Sequence, residues 1–137
     1  MDIQDRFSID DLLMRASYAL DVRDMGTLER CFAKNAVLEI HIAGVDGEPR
    51  FEGRDAIMSL MRNAAETQTD VRRHVTTNVL IESTGSNTAT SIANLTLTAV
   101  ENASIRLVTS GYYRDQLLRD NGNWVITRRR IELDMAY

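Results

Sequence analysis

Only two side chains in this sequence, His41 and His74, titrate near neutral pH unaided. An imidazole can take a proton from an acidic C–H bond, and a carboxylate on its second nitrogen fixes the tautomer and raises basicity. In the run from Arg73 to Val79, strand alternation sets His74 on one face with Thr76 and Asn78, opposite Val75, Val79 and Ile81. Polar company of this kind suits a pocket base, and equally a satisfied structural histidine. His41 stands beside Glu39 on the polar side of an alternating segment, the pattern of a solvated surface. Asn94, in the weakly polar run Thr90 to Thr98, has an amide able to bond a substrate carbonyl or water. Tyr112, Tyr113 and Trp124 read as core or interface aromatics, although a tyrosine hydroxyl in a pocket can assist a leaving group. Cys31 has no partner for an internal disulfide, and one cysteine with two histidines makes no zinc-type cluster, so no metal or cofactor is expected.

The elements that must position these residues follow from periodicity. Ser8 is a candidate cap with Asp11 closing the box and Phe7 stapled on Leu12, which starts a first helix near Ile9. Ile9, Leu12, Leu13, Ala16 and Leu20 form its apolar stripe, while Met14, Tyr18 and Asp21 run along a neighbouring line. Leu28, Cys31 and Phe32 predict a short second helix, and Ile57, Leu60, Met61 and Ala64 the inner face of a third over about Arg54 to Thr67. Between them Ala36 to Ile42 alternates as a strand, with Leu38, Ile40 and Ile42 opposite Glu39 and His41, and a short return strand follows at Arg50 to Glu52. From Val71 the chain turns β-branched, predicting strands at about 71–82, 87–101, 104–119 and 122–135. Turn signals at Thr84 to Asn87, Glu101-Asn102 and Asn121-Gly122 make these a meander. Helices first and strands after predict an α+β fold with three N-terminal helices packed on a strongly curved, mixed but mostly antiparallel sheet.

The length of 137 residues predicts one domain over 1–137, and 44% apolar with 26% charged residues predicts a packed core. A net charge of −4 argues against a nucleic-acid binder. The run Arg128-Arg129-Arg130 splits across two faces if it lies in a strand, so it makes no patch and reads as surface or interface ion pairs. No apolar stretch approaches the ~20 residues of a membrane span, and the N-terminal MDIQDRFSIDD lacks signal-peptide regions, so a cytoplasmic location is expected.

Several segments resemble a known family. Tyr18 to Phe32 followed by Ala36 to Glu39, the strand Arg73 to Val79, and the ending Gly111 to Leu117 with Gly122 to Ile131 are similar to SnoaL-like and nuclear transport factor 2-like proteins. The resemblance covers nearly the whole chain and implies a cone-shaped, cystatin-like roll. It also implies that Asp21 and His74 pair as in scytalone dehydratase, a bile-acid dehydratase and a hexachlorocyclohexane dehydrochlorinase. There a histidine removes a proton from carbon, an aspartate orients it, and a leaving group departs. Where two of those enzymes carry a Lys or Tyr ahead of the aspartate, this chain has Ala16, with Tyr18 nearby. Arg129 to Asp134 and the Arg73 to Asn78 strand also resemble the largely structural β subunit of aromatic-ring-hydroxylating dioxygenases. The ketosteroid isomerase branch fits less well, since Ile40 occupies the position near its general base.

The expected function is therefore a cofactor-independent lyase or isomerase acting on a small, largely apolar cyclic or polyketide-like molecule. His74 is its expected base, Asp21 the orienter, Tyr18 or a water the proton donor, and Asn94 a substrate contact. The alternative is a noncatalytic ligand-binding or scaffold protein. An open apolar pocket reaching His74 favours the first and a filled cone the second. Val75, Val79 and Ile81 on the opposite sheet face predict a homodimer or homotrimer.

Overall fold

Asp2 opens the first helix, α1 (Ile3–Val22), by accepting a hydrogen bond from the backbone N–H of Asp5 at 2.8 Å. The helix thus starts a turn and a half ahead of the Ser8 cap expected from the sequence. Tertiary contacts hold the extra residues: the Asp5 carboxylate accepts from Arg119 at 2.8 Å and from the Trp124 indole at 3.1 Å. The computed structural model describes residues 1–137, in which α1 is followed by α2 (Met25–Arg30) and, after two strands, α3 (Arg54–Thr67). α2 stops short of its predicted end, because the Cys31 carbonyl accepts the Ile126 N–H at 2.8 Å and pulls Phe32 into a strand.

The strands are β1 (Phe32–Ile42), β2 (Arg50–Glu52), β3 (Val71–Ser83), β4 (Thr88–Glu101), β5 (Ser104–Asp120) and β6 (Asn123–Leu133). They form one sheet in the order β2-β1-β6-β5-β4-β3, antiparallel throughout except where β1 runs parallel to β6. The result is the α+β cone predicted, a cystatin-like roll with the helices against the inner face of a mixed, mostly antiparallel sheet. Ile9, Leu13, Leu28, Phe32, Leu38 and Ile57 form the middle of the core between helices and sheet.

Bulges bend the sheet and decide which side chains face inward. Thr77 pairs with Asn94 and Leu80 with Ile92, so Asn78 and Val79 of β3 stand against the single Ala93 of β4. Asn78 takes up the extra residue at φ 56°, a left-handed conformation that asparagine tolerates. Side-chain parity reverses across this point. His74 and Thr76 face the helices as expected, but Val79 and Ile81 also turn inward and join the core, while Leu80 becomes 67% exposed. The predicted outer trio of Val75, Val79 and Ile81 therefore does not exist, and Asn78 does not share the His74 face. A second bulge on β6, where Arg128 pairs with Gln116 and Ile126 with Leu117, leaves Thr127 as the extra residue.

Where β5 crosses β6, Gly111 permits an approach that no other residue could. A Cβ there would lie 1.9 Å from the Glu132 carbonyl oxygen.

Candidate functional site

Matching spacings bring the end of α1 onto β3. Ser17 and Asp21 are one helical turn apart, about 6 Å along the axis, and Thr76 and His74 are two strand residues apart, about 6.6 Å. The two pairs meet in order: the Ser17 and Thr76 hydroxyls lie 2.6 Å apart and buried, and Asp21 meets His74. Asp21 Oδ1 accepts from the backbone N–H of His74 at 2.8 Å and lies 2.7 Å from its ring Nδ1. The side chains of both residues are largely buried. With Nδ1 turned to the carboxylate, the other ring nitrogen, Nε2, is the one directed away from Asp21.

His74 lines a cavity of about 180 Å³ between α1, α3 and the inner face of the sheet. A cavity of ~150 Å³ holds one benzene ring, so this one suits a small ring system. Hydrophobic side chains, Leu20, Leu28, Leu38, Ile40, Leu95 and Leu97 among them, make most of its wall, which favours an apolar ligand body.

Against this apolar wall stands a buried polar group from β5 and β6. Arg129 is 5% exposed and donates from Nε and Nη2 to the two carboxylate oxygens of Asp115, each at 2.8 Å. Burial alone would push the guanidinium down, but the charge and hydrogen bonds of Asp115 more than offset it and hold Arg129 above its ordinary value. The Arg129 guanidinium also stacks 4.0 Å from the centroid of the Tyr113 ring. Burial pushes the Tyr113 hydroxyl up to about 12, with Arg129 pulling the other way, so it stays protonated at neutral pH. Arg129 and Tyr113 both line the cavity.

From the sequence, Arg129 is expected in surface or interface pairs and Tyr113 among core or interface aromatics. The signal for Arg129 was present, since alternation alone sends the middle of three consecutive arginines to the face opposite its neighbours. Two other expectations fail. Tyr18 is 68% exposed and lies outside the cavity, on the solvent side of α1, while Ser17 and Asp21 on either side of it in sequence face β3. Asn94 pairs with Tyr112 and faces away from the cavity, which its neighbours Leu95 and Leu97 line through the opposite parity. His41 sits on the outer face beside Glu48 at 3.0 Å, as its polar setting implied. No group of three or more His, Cys, Asp or Glu side chains is gathered in a way that could hold a metal. No helix is long and apolar enough to cross a membrane.

Residues 1–130 match the family model of the SnoaL-like domain. Among solved structures, the chain is similar to a protein of unknown function with a cystatin-like fold from Nostoc punctiforme. The two share 23% identity and a TM-score of 0.82, over 98% of this chain and 94% of that one. A provisionally assigned scytalone dehydratase from Novosphingobium aromaticivorans is similar at 20% identity and a TM-score of 0.79, over 97% of this chain and 86% of the other. The β subunit of a provisionally assigned aromatic-ring-hydroxylating dioxygenase, also from Novosphingobium aromaticivorans, is similar at 14% identity and a TM-score of 0.81, over 95% and 89%. At such identities the likeness carries the fold and not the activity. No curated protein matches the chain in sequence. The match over residues 1–130, together with the cystatin-like cone, establishes that the chain belongs to the SnoaL-like domain family.

Proposed function

We propose that this protein is a cofactor-independent lyase or isomerase that removes a proton from carbon in a small, largely apolar ring compound. The observation that carries the reading is the contact of 2.7 Å between His74 Nδ1 and Asp21, which leaves Nε2 free at an apolar cavity. In a dehydration, Nε2 takes a proton from the carbon next to a carbonyl. The C–H electron pair becomes the new C=C bond, and the hydroxyl on the adjacent carbon leaves with its own pair. Asp21 stabilises the imidazolium formed, and a proton delivered to the departing oxygen completes a water molecule. Tyr113, kept protonated by burial, supplies or relays that proton, and Arg129 offsets charge developing on the carbonyl oxygen. If the proton returns to a different carbon instead, the same groups perform an isomerisation.

What supports this reading over a noncatalytic scaffold is the open interior that reaches His74. The test is a screen of one- and two-ring β-hydroxy ketones for loss of water, followed by the absorbance of the conjugated enone. A substrate found in this way should be turned over by the wild type and left unchanged by a folded His74→Ala variant. Equal turnover by that variant would end the His74 elimination mechanism, and no turnover of any such ketone by the wild type would favour the scaffold reading.

A further inference from the structure

The cavity opens between the ends of α1 and α3, the start of β3 and the C-terminal residue, where Arg23, Gln68, Arg72 and Tyr137 line it. Its two rim cations are held differently. Arg72 donates to Asp70 at 2.8 Å and lies 5.4 Å from the centroid of the Tyr137 ring. Asp70 is shared with Arg106 at 3.6 Å. Arg23 makes no ion pair. Its Nη2 donates over long distances to the carbonyls of Gln68 at 3.3 Å and Asp70 at 3.4 Å, and its other two nitrogens have no protein partner. Asp70 is thus the only carboxylate in ion-pair contact with any of these three arginines.

The backbone makes the choice of residue at this position informative. Arg23 closes α1 at φ 60° and ψ 35°, a left-handed conformation in which glycine or asparagine is the usual choice. An arginine at this position carries a backbone cost that glycine or asparagine would largely avoid. Long bonds from one nitrogen to two carbonyls leave most of a planar donor fork unused, and that fork matches the two oxygens of a carboxylate.

We propose that Arg23, with Arg72 beside it, binds a carboxylate at the mouth, so that the protein's ligands are small ring acids. The apolar ring enters toward His74 and the acid group remains at the rim. This inference rests on the cavity being the substrate site, and it deepens the proposed function by naming the substrate class. Arg129, the other cation lining the cavity, is already held on two nitrogens by Asp115.

The probes are 2-naphthoate and its neutral isostere 2-naphthamide, titrated against the full chain by calorimetry at low and high salt. The wild type should bind the acid at least about tenfold more tightly than the amide, with a smaller gap at high salt. Arg23→Asn, which suits the left-handed backbone, should reduce the preference to within about threefold while amide binding and the circular dichroism spectrum stay unchanged. Equal binding of acid and amide by the wild type, or binding of neither, overturns the inference. So does a preference that survives in the Arg23→Asn, Arg72→Gln double variant, which would move the carboxylate to Arg129. His74→Ala should retain the preference, so a failed elimination mechanism shows as lost turnover and a failed carboxylate site as lost discrimination.

Discussion

A single carboxylate oxygen of Asp21 holds His74 at two points, its backbone N–H at 2.8 Å and its ring Nδ1 at 2.7 Å. The strand and the imidazole are thereby fixed to the same helix end. The imidazole has little freedom to turn, and the group that orients it also secures the local backbone.

This double role separates two substitutions. Asp21→Asn can keep the amide–backbone bond but presents no anion to the imidazolium, so turnover of a found substrate should fall by about 10² to 10⁴ with the fold nearly intact. Asp21→Ala also leaves the His74 N–H without its acceptor, which should cost a further ~1–3 kcal/mol of stability. Steady-state kinetics and urea unfolding of both variants check this, and equal stability of the two would contradict the double role.

Tyr113 supplies a pH dependence. Burial raises its hydroxyl from 10.0 to about 12 in the folded protein. The group contributes stability that is fully present below about pH 10, its unfolded value, and is lost as pH rises through about 12. Of the four tyrosines, three are exposed, so an ultraviolet titration of the native protein should show one late tyrosine near pH 12. Tyr113→Phe should remove that step and flatten the alkaline loss of stability, which is on the order of 2 kcal/mol.

The outer face of the sheet remains the expected surface for self-association, with Leu80 and Tyr112 joining Val75 in place of Val79 and Ile81. Leu80 and Tyr112 are exposed there with Val75, beside the arginines Arg114, Arg128 and Arg130. Arg128 donates to Glu39 at 2.6 Å, and Arg130 to Glu48 at 3.0 Å. An apolar strip among satisfied charges suits a copy of the same surface. Light scattering at micromolar concentration should give the mass of a dimer or trimer, and Leu80→Asp should yield monomer. A monomeric wild type would rule the interface out.

What the sequence by itself determined is local. Asn121 and Gly122 adopt φ 50° and 82° in the hairpin their pairing announces, and Asn102 and Ala103 turn the previous one at 53° and 60°. The alternation of β1 places Leu38 and Ile40 inward, and α3 spans the residues its period predicted. Both signals depend on neighbours a few residues away. Asp21 and His74 were legible as a pair only through resemblance to a family, since no local pattern links residues so far apart. Tertiary structure alone decided the parity beyond Asn78, the parallel seating of β1 on β6, the exposure of Tyr18 between Ser17 and Asp21 on α1, and which face of β6 carries Arg129. The strand placements depend on register, since one extra residue in a strand reverses every side chain after it, and the side of Tyr18 depends on how α1 is turned against the sheet. The energy that selects where that residue sits comes from packing against the far side of the fold, which a local pattern does not contain.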